Sequence, residues 1–282
     1  MNVSKALALA KTMRPFNCFM TGVAIIFAYL VFTGFTLDVV RSVVGFTTGF
    51  LACAAAMLIN DVVDLPVDRI NKPWKPLPSG KIDINTVKIF SIVFLSFSIL
   101  INIYVSTYAI MTVAVFALIG FTYNFLRRFW WSHFLVSIST FGPIIYGYIL
   151  SGTPTIKLWL AVSFSIVIFF INSAREFVKS IADVEGDRRL GYSTVATRFG
   201  VNKAAYTSLL FSIIGVAIAI LPGISGLTGM VYTIILTISG LLFTLEAYRV
   251  TKNPIREVCE KAKNRMIKYM FVALIGFLLS GL

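Results

Sequence analysis

Asn60, Asp61, Asp64 and Asp68 stand together where a long apolar run ends, and Asp183, Glu185 and Asp187 stand where another one ends. With Glu176 just upstream of the second group, seven of the chain's 12 acidic residues fall in these two places. On a helix turning about 100° per residue, Asp61, Asp64 and Asp68 lie within about 60° of one another, flanked by Asn60. Asn172, Glu176, Lys179, Asp183 and Asp187 share a second helical stripe, and Glu185 points away from it. Like charges about 4 Å apart repel by roughly 4 kcal/mol at an effective dielectric near 20, so carboxylates gathered this way require strong cations or partial protonation. The single histidine, His133, and three scattered cysteines make a nitrogen or thiolate metal site unfavourable. Hard oxygen donors select Mg²⁺, Mn²⁺ or Ca²⁺. Mg²⁺ typically takes one or two carboxylates and leaves its other positions to water and phosphate oxygens. Two clusters on facing helices can therefore hold one ion each and clamp a pyrophosphate between them.

The loop after the first motif suits such a ligand. Arg69, Lys72, Lys75 and Lys81 alternate with Pro73, Pro76, Pro78 and Gly80. Proline stiffens the loop and the cations can meet phosphate, although a basic loop with turn residues is also what membrane topology alone would place here. Pro66 lies between Asp64 and Asp68, lacks a backbone donor and clashes with the Val62 carbonyl of a continuous helix. The helix is expected to kink or end there, taking Asp68 off the ideal stripe.

The elements that must carry these residues are membrane spans. The 282-residue chain is 58% hydrophobic and 13% charged, with a mean hydropathy of +0.87, against about 25% charged in soluble domains. Runs of roughly 20 apolar residues recur along the whole length. They predict one all-α polytopic membrane domain over 1–282 with nine transmembrane helices, at about 16–35, 39–60, 86–105, 108–126, 131–151, 156–182, 204–221, 227–247 and 266–282. The third and fourth meet at little more than a turn around Ser106 and Thr107. Residues 1–14, with Lys5, Lys11 and Arg14, lack the order of a cleavable signal and are read as part of the mature chain. The net charge of +13 does not indicate nucleic acid, because the cations gather in loops on one side of the spans. The opposite side receives only Arg41 and Lys157. This asymmetry places the amino terminus and both acidic motifs on the cytoplasmic side of a multi-pass cell-membrane protein. The basic stretch 249–268 reads as a cytoplasmic linker facing phospholipid.

At these motifs the chain resembles the UbiA superfamily of intramembrane prenyltransferases. Asn60, Asp64 and Asp68 match that family's Asn-x-x-x-Asp-x-x-x-Asp motif, and Asp183 and Asp187 match its Asp-x-x-x-Asp motif. The segments from Arg69 to Pro73 and from Lys75 to Gly80 resemble its loop, and nine spans agree with its fold. The resemblance implies Mg²⁺, two ions bridging the substrate pyrophosphate, held by Asn60, Asp61, Asp64, Asp68, Asp183 and Asp187. A prenyl pyrophosphate ionises, and an acceptor attacks the allylic carbocation. Arg14 resembles the basic residue that opens the family's first span. Tyr123 and Arg127 match a Tyr-x-x-x-Lys/Arg pair in which tyrosine steadies the cation and arginine holds phosphate. Lys72, Lys75 and Lys179 are expected to bind substrate beside them.

The stretch from Arg175 to Arg188 resembles the branch that contains the archaeal digeranylgeranylglyceryl phosphate synthases and the chlorophyll synthases. Within that branch the expected reaction is Mg²⁺-dependent transfer of geranylgeranyl to the hydroxyl of geranylgeranylglyceryl phosphate, a lipid-like phosphate-bearing acceptor, in archaeal ether-lipid synthesis. A chlorophyllide, quinone-precursor or other aromatic acceptor is the alternative within the superfamily. The chain has no glutamine, a residue thermophiles use sparingly, which agrees with an archaeal source. From other classes, an ion-coupled transporter would place its carboxylates near the midplane rather than at span ends. A phosphotransferase for nucleotide-activated alcohols would need an Asp-Gly-x-x-Ala-Arg motif, which the chain lacks.

Overall fold

The computed structural model describes residues 3–126, 128–152 and 158–281. Among them the chain forms helices and no strand. The elements are α1 (Val3–Met13), α2 (Pro15–Thr33), α3 (Val39–Val63), α4 (Leu65–Asn71), α5 (Ile84–Leu100), α6 (Thr107–Leu126), α7 (Ser132–Ser151), α8 (Leu158–Ala182), α9 (Val184–Arg189), α10 (Val195–Phe199), α11 (Val201–Ile224), α12 (Met230–Lys252) and α13 (Arg256–Leu278).

Eight of the helices are long and apolar enough to cross a membrane. The turn at Ser106 does separate two of them. A 3₁₀ segment, Ile101–Tyr104, ends α5, and the Ser106 hydroxyl caps α6 by accepting from the Ala109 amide at 3.1 Å. The ninth predicted span, 266–282, covers the apolar half of α13 and the 3₁₀ turn Leu279–Gly281, and residue 282 lies outside the described residues. That helix begins ten residues earlier, at Arg256, and its charged first turns keep it outside the composition of an ordinary span. The basic stretch 249–268 is accordingly not a linker. It is the end of α12, a short turn and the first half of α13. Buried Glu246 ties the two helices by accepting from Arg249 at 2.5 Å and Arg265 at 3.3 Å.

The long helices pack in chain order, α2 on α3, then α5, α6, α7, α8, α11, α12 and α13, and α13 returns to α2 to close a ring. Their outward faces carry exposed Ile92, Leu118, Ile213 and Leu241, as lipid contact requires. Inward, α2 and α7 approach closely at Gly147, where a Cβ would lie 2.5 Å from the Ala28 side chain and 2.9 Å from the Ile25 carbonyl. Small residues of this kind let backbones meet where apolar burial alone cannot drive association.

The short helices gather at the motif end. Leu9 of α1 packs with Leu58, Leu65, Leu77, Ile82 and Val87, which also pins the loop between α4 and α5. Arg41, assigned by sequence to the opposite side, donates to the Leu150 carbonyl at 3.1 Å, at the other end of the bundle. Lys157, its companion in that assignment, lies outside the described residues.

Candidate active site

Both acidic motifs sit at a bend. α3 ends at Val63, Asp64 forms the corner, and α4 restarts with Pro66 in its first turn, where the missing amide has no helical partner to lose. The backbone ladder nevertheless continues, with Asp64 N to Asn60 O at 2.8 Å and Asp68 N to Asp64 O at 2.7 Å. Pro66 therefore bends the chain as expected, but Asp68 stays in the site, buried at 3% exposure. The second motif repeats the arrangement. α8 ends at Ala182, Asp183 is the corner, and Asp187 N bonds to Asp183 O at 3.1 Å in α9.

The two bends meet. α4 packs on α9, the Asn71 amide donates to the Asp183 carbonyl at 3.1 Å, and Arg256 donates to the Asn71 carbonyl. Gly186 makes this approach possible, since a Cβ there would fall 2.5 Å from Asn71 Nδ2. Glycine here serves proximity rather than backbone conformation.

A cavity of about 630 Å³ opens between the motifs. Asn60, Asp64, Asp68 and Asp183 line it, together with Asn172, Glu176, Lys179 and Tyr123. Asp61 and Asp187 are buried outside that lining, at 2% and 1% exposure. Glu185 pairs with Arg189 on the exposed surface. Asn60 donates to Asn124 Oδ1 at 3.0 Å, which links the first motif to α6 beside Tyr123.

The carboxylates carry counter-ions from the chain itself. Lys75 Nζ lies 2.6 Å from Asp68 Oδ2 and 3.1 Å from Asp61 Oδ1, and Lys72 Nζ lies 2.6 Å from Asp183 Oδ1. Arg14 Nη2 reaches Asp61 Oδ1 at 2.6 Å. Of the four cations in the loop motif, Lys72 and Lys75 thus turn inward, while Arg69 and Lys81 are exposed. Arg14 adopts φ 55°, a left-handed conformation uncommon for a non-glycine residue, immediately before Pro15 opens α2. Burial acts to lower the Arg14 guanidinium, but the Asp61 and Asp68 carboxylates overcome this and hold it above its ordinary value. Arg127 lies outside the described residues.

Among the described residues, no three His, Cys, Asp or Glu side chains form a ready-made metal cage. The donors present fit an ion that takes one or two carboxylates and completes its shell with water and phosphate oxygens, as Mg²⁺ does.

Several cavity residues were not among those singled out from sequence. Glu260, Lys263 and Asn264 of α13 and Arg175 of α8 line the same space. The signal for the three α13 residues is a polar face at helical spacing at the head of that helix, which a linker reading of the segment hides.

Comparison with known proteins gives consistent matches. The model of the UbiA prenyltransferase family matches residues 18–275. The chain is 28% identical to the digeranylgeranylglyceryl phosphate synthase of Methanocaldococcus jannaschii, over 99% of this chain and 98% of that protein. A solved structure concerned with digeranylgeranylglyceryl phosphate synthase in membranes superposes with a TM-score of 0.75 at 26% identity, covering 98% of each chain. A UbiA homologue from Archaeoglobus fulgidus, solved with GPP and Mg²⁺, has the same fold at a TM-score of 0.70 and 17% identity, covering 98% of this chain and all of that one.

Proposed function

Because the chain belongs to the UbiA prenyltransferase family, and is thus a multi-pass membrane prenyltransferase, we propose that it transfers geranylgeranyl from its pyrophosphate to the hydroxyl of geranylgeranylglyceryl phosphate. The reading rests above all on one observation: Asp64, Asp68 and Asp183 face a single cavity that Arg14, Lys72, Lys75 and Lys179 also line. The enzyme class sets aside the transporter and phosphotransferase readings. Relatives across the full chain length that carry the digeranylgeranylglyceryl phosphate synthase name support the acceptor.

In this proposal Asn60, Asp64 and Asp68 on one jaw and Asp183 on the other would hold two Mg²⁺ ions from the cavity wall, with Asp61 and Asp187 as the further carboxylates of the two jaws, buried behind that wall. When bound, the ions supply positive charge that neutralises the pyrophosphate as a leaving group. Lys72, Lys75, Lys179, Arg14 and Arg127 bind its remaining oxygens. Lys72 and Lys75 exchange carboxylate for phosphate as they do so. Tyr123, buried at 4% exposure on the cavity wall, faces the allylic carbons and steadies their developing charge. The apolar part of the cavity, including Phe116, Val113 and Ile25, excludes water from the carbocation and accommodates the prenyl chain. The motif end faces the cytoplasm, following the bias of basic residues.

The test is an acceptor panel with labelled geranylgeranyl pyrophosphate and chromatography of the products. The expected product is the doubly alkylated glyceryl phosphate, formed only with a divalent ion. Product formation solely with an aromatic acceptor overturns the acceptor assignment while leaving the transferase intact. Wild-type turnover by Asp64→Ala or Asp187→Ala overturns the two-jaw clamp.

A further inference from the structure

The cavity has a second cationic wall that the donor-binding roles above leave largely unused. Arg175 and Lys263 both line it, from α8 and α13. Arg175 Nε donates to the Lys263 carbonyl at 3.3 Å, which locks the two helices together at this point. Its guanidinium lies 3.5 Å from Glu176 Oε1, and Lys263 Nζ lies 2.7 Å from Glu260 Oε2. The two cationic side chains are only 19% and 13% exposed. Each of these buried cations already has the carboxylate partner that burial requires, and a guanidinium or ammonium keeps further N–H donors for a second anion. Neither contacts an aspartate of the two motifs through an ion pair. The motif cations, Lys72 and Lys75, are engaged with Asp183, Asp61 and Asp68 instead.

Away from these charges the same wall becomes apolar. On α8, Arg175 is followed toward the bundle interior by Ile171, Ile168 and Phe164, and on α13 Lys263 is followed by Met270, Ala273 and Leu274. Each lane runs about 16 Å at 1.5 Å rise per residue. Both end in a second cavity of about 150 Å³ with no charged side chain in its lining. The two cavities share Met20, Thr21, Thr140, Pro143 and Met270, so the smaller one lies against the larger as a side chamber with a common wall. A polar head beside Arg175 and Lys263 and an apolar chain beneath it is the outline of a single-chain lipid with an anionic head.

We propose that the α8–α13 wall is the acceptor's seat, in which Arg175 and Lys263 bind the acceptor's phosphate and the apolar lane between them and the side chamber takes the alkyl chain that the acceptor already carries, with the chamber receiving the chain's end. The inference rests on the acceptor assignment made above and adds the residues that select it. It also separates the two lipid chains, with the acceptor's along the α8–α13 lane and the donor's elsewhere in the large cavity. Phosphate bound by a paired arginine and lysine explains how one site distinguishes an acceptor phosphate from a leaving pyrophosphate, since the latter requires the motif carboxylates as well.

Kinetics of the full-length enzyme test the seat, with donor and acceptor varied separately. Lys263→Ala raises KM for geranylgeranylglyceryl phosphate about tenfold, the loss expected for one charge-assisted contact, and leaves KM for geranylgeranyl pyrophosphate unchanged. Lys263→Arg restores it. With geranylgeranylglycerol, which has no phosphate, wild type and Lys263→Ala behave alike. Ala273→Phe, which fills the side chamber, raises KM for the long-chain acceptor but not for a glyceryl phosphate bearing a short alkyl ether. Thermal unfolding in detergent verifies that each variant is folded, and Lys263→Gln replaces Lys263→Ala if it is not. A wild type that needs the acceptor phosphate, combined with an unaltered acceptor KM in Lys263→Ala, overturns the seat and spares the acceptor assignment. A wild type indifferent to the phosphate overturns both.

Discussion

Lys72 and Asp183 form the contact that joins the two motifs, with Nζ 2.6 Å from Oδ1 across 111 positions of sequence. The side chains are 14% and 3% exposed, so the pair is shielded from solvent and salt. One lysine thus connects the loop of the first motif to the corner of the second. Replacing it with methionine keeps the length of the side chain and removes the charge. The expected result is a fall of about 10- to 100-fold in kcat/KM for the prenyl donor, the loss of one charged contact to phosphate. Lys72→Arg retains part of the activity. Steady-state kinetics with each substrate in turn make the measurement.

Asp64→Asn and Asp187→Asn each preserve shape and remove a negative charge. Turnover falls at least about 100-fold in both, because the charge they supply is required in the transition state. Chelation of divalent ions abolishes turnover but leaves the thermal unfolding midpoint in place, since Lys75, Lys72 and Arg14 already pair with Asp61, Asp68 and Asp183. A midpoint that drops sharply on chelation would instead identify the ion as part of the fold.

Gly186→Ala inserts a methyl group into the Asn71 side chain. Either α9 tilts away from α4 or Asn71 gives up its bond to the Asp183 carbonyl. The variant is expected to lose about 1–3 kcal/mol of stability and most of its turnover. Asn71→Ala in the same chain relieves the clash, so the double variant recovers stability relative to Gly186→Ala. Thermal unfolding of the four chains forms the cycle that measures this coupling.

Asp83 caps α5 from the loop, accepting from the Thr86 amide and hydroxyl at 2.8 Å each. These bonds hold its carboxyl below the usual range. A lowered folded-state value means that the stabilisation is present above the unfolded carboxyl's pKa and is lost as pH falls through the folded one. Asp83→Ala therefore lowers the unfolding temperature at neutral pH, and the gap to wild type closes in acid. Asp83→Asn, which still caps but does not titrate, starts closer to wild type, and its gap moves with pH in the same direction and by the same amount, because only the wild-type carboxyl titrates.

Much of this is legible in the sequence. The spans were readable because each apolar run is long and bounded by charged loops, and the motifs because carboxylates are rare in such a chain. Pro66 correctly signalled a bend, but the fate of Asp68 depended on the Asp64 corner keeping its hydrogen bonds, which is a property of the whole turn. The head of α13 was misread because its lysines and glutamates resemble a solvated linker. Only its packing against α8 and α2 shows that one face of it completes the cavity. Arg175 fell inside a recognised stretch, yet nothing in its spacing distinguished a cavity wall from a helix flank.

The bends at Asp64 and Asp183 are stiff elbows, because the hydrogen-bond ladder runs through both. A stiff elbow turns any tilt of its long arm into sideways travel at its tip. α3 and α8 are the long arms, and bilayer thickness influences how far such helices lean. A change in that lean is expected to alter the gap between the carboxylates, so that turnover depends on lipid acyl length. Enzyme reconstituted in vesicles of graded acyl length should show turnover peaking at one thickness, whereas a flat profile would mean that the elbows move independently of their arms.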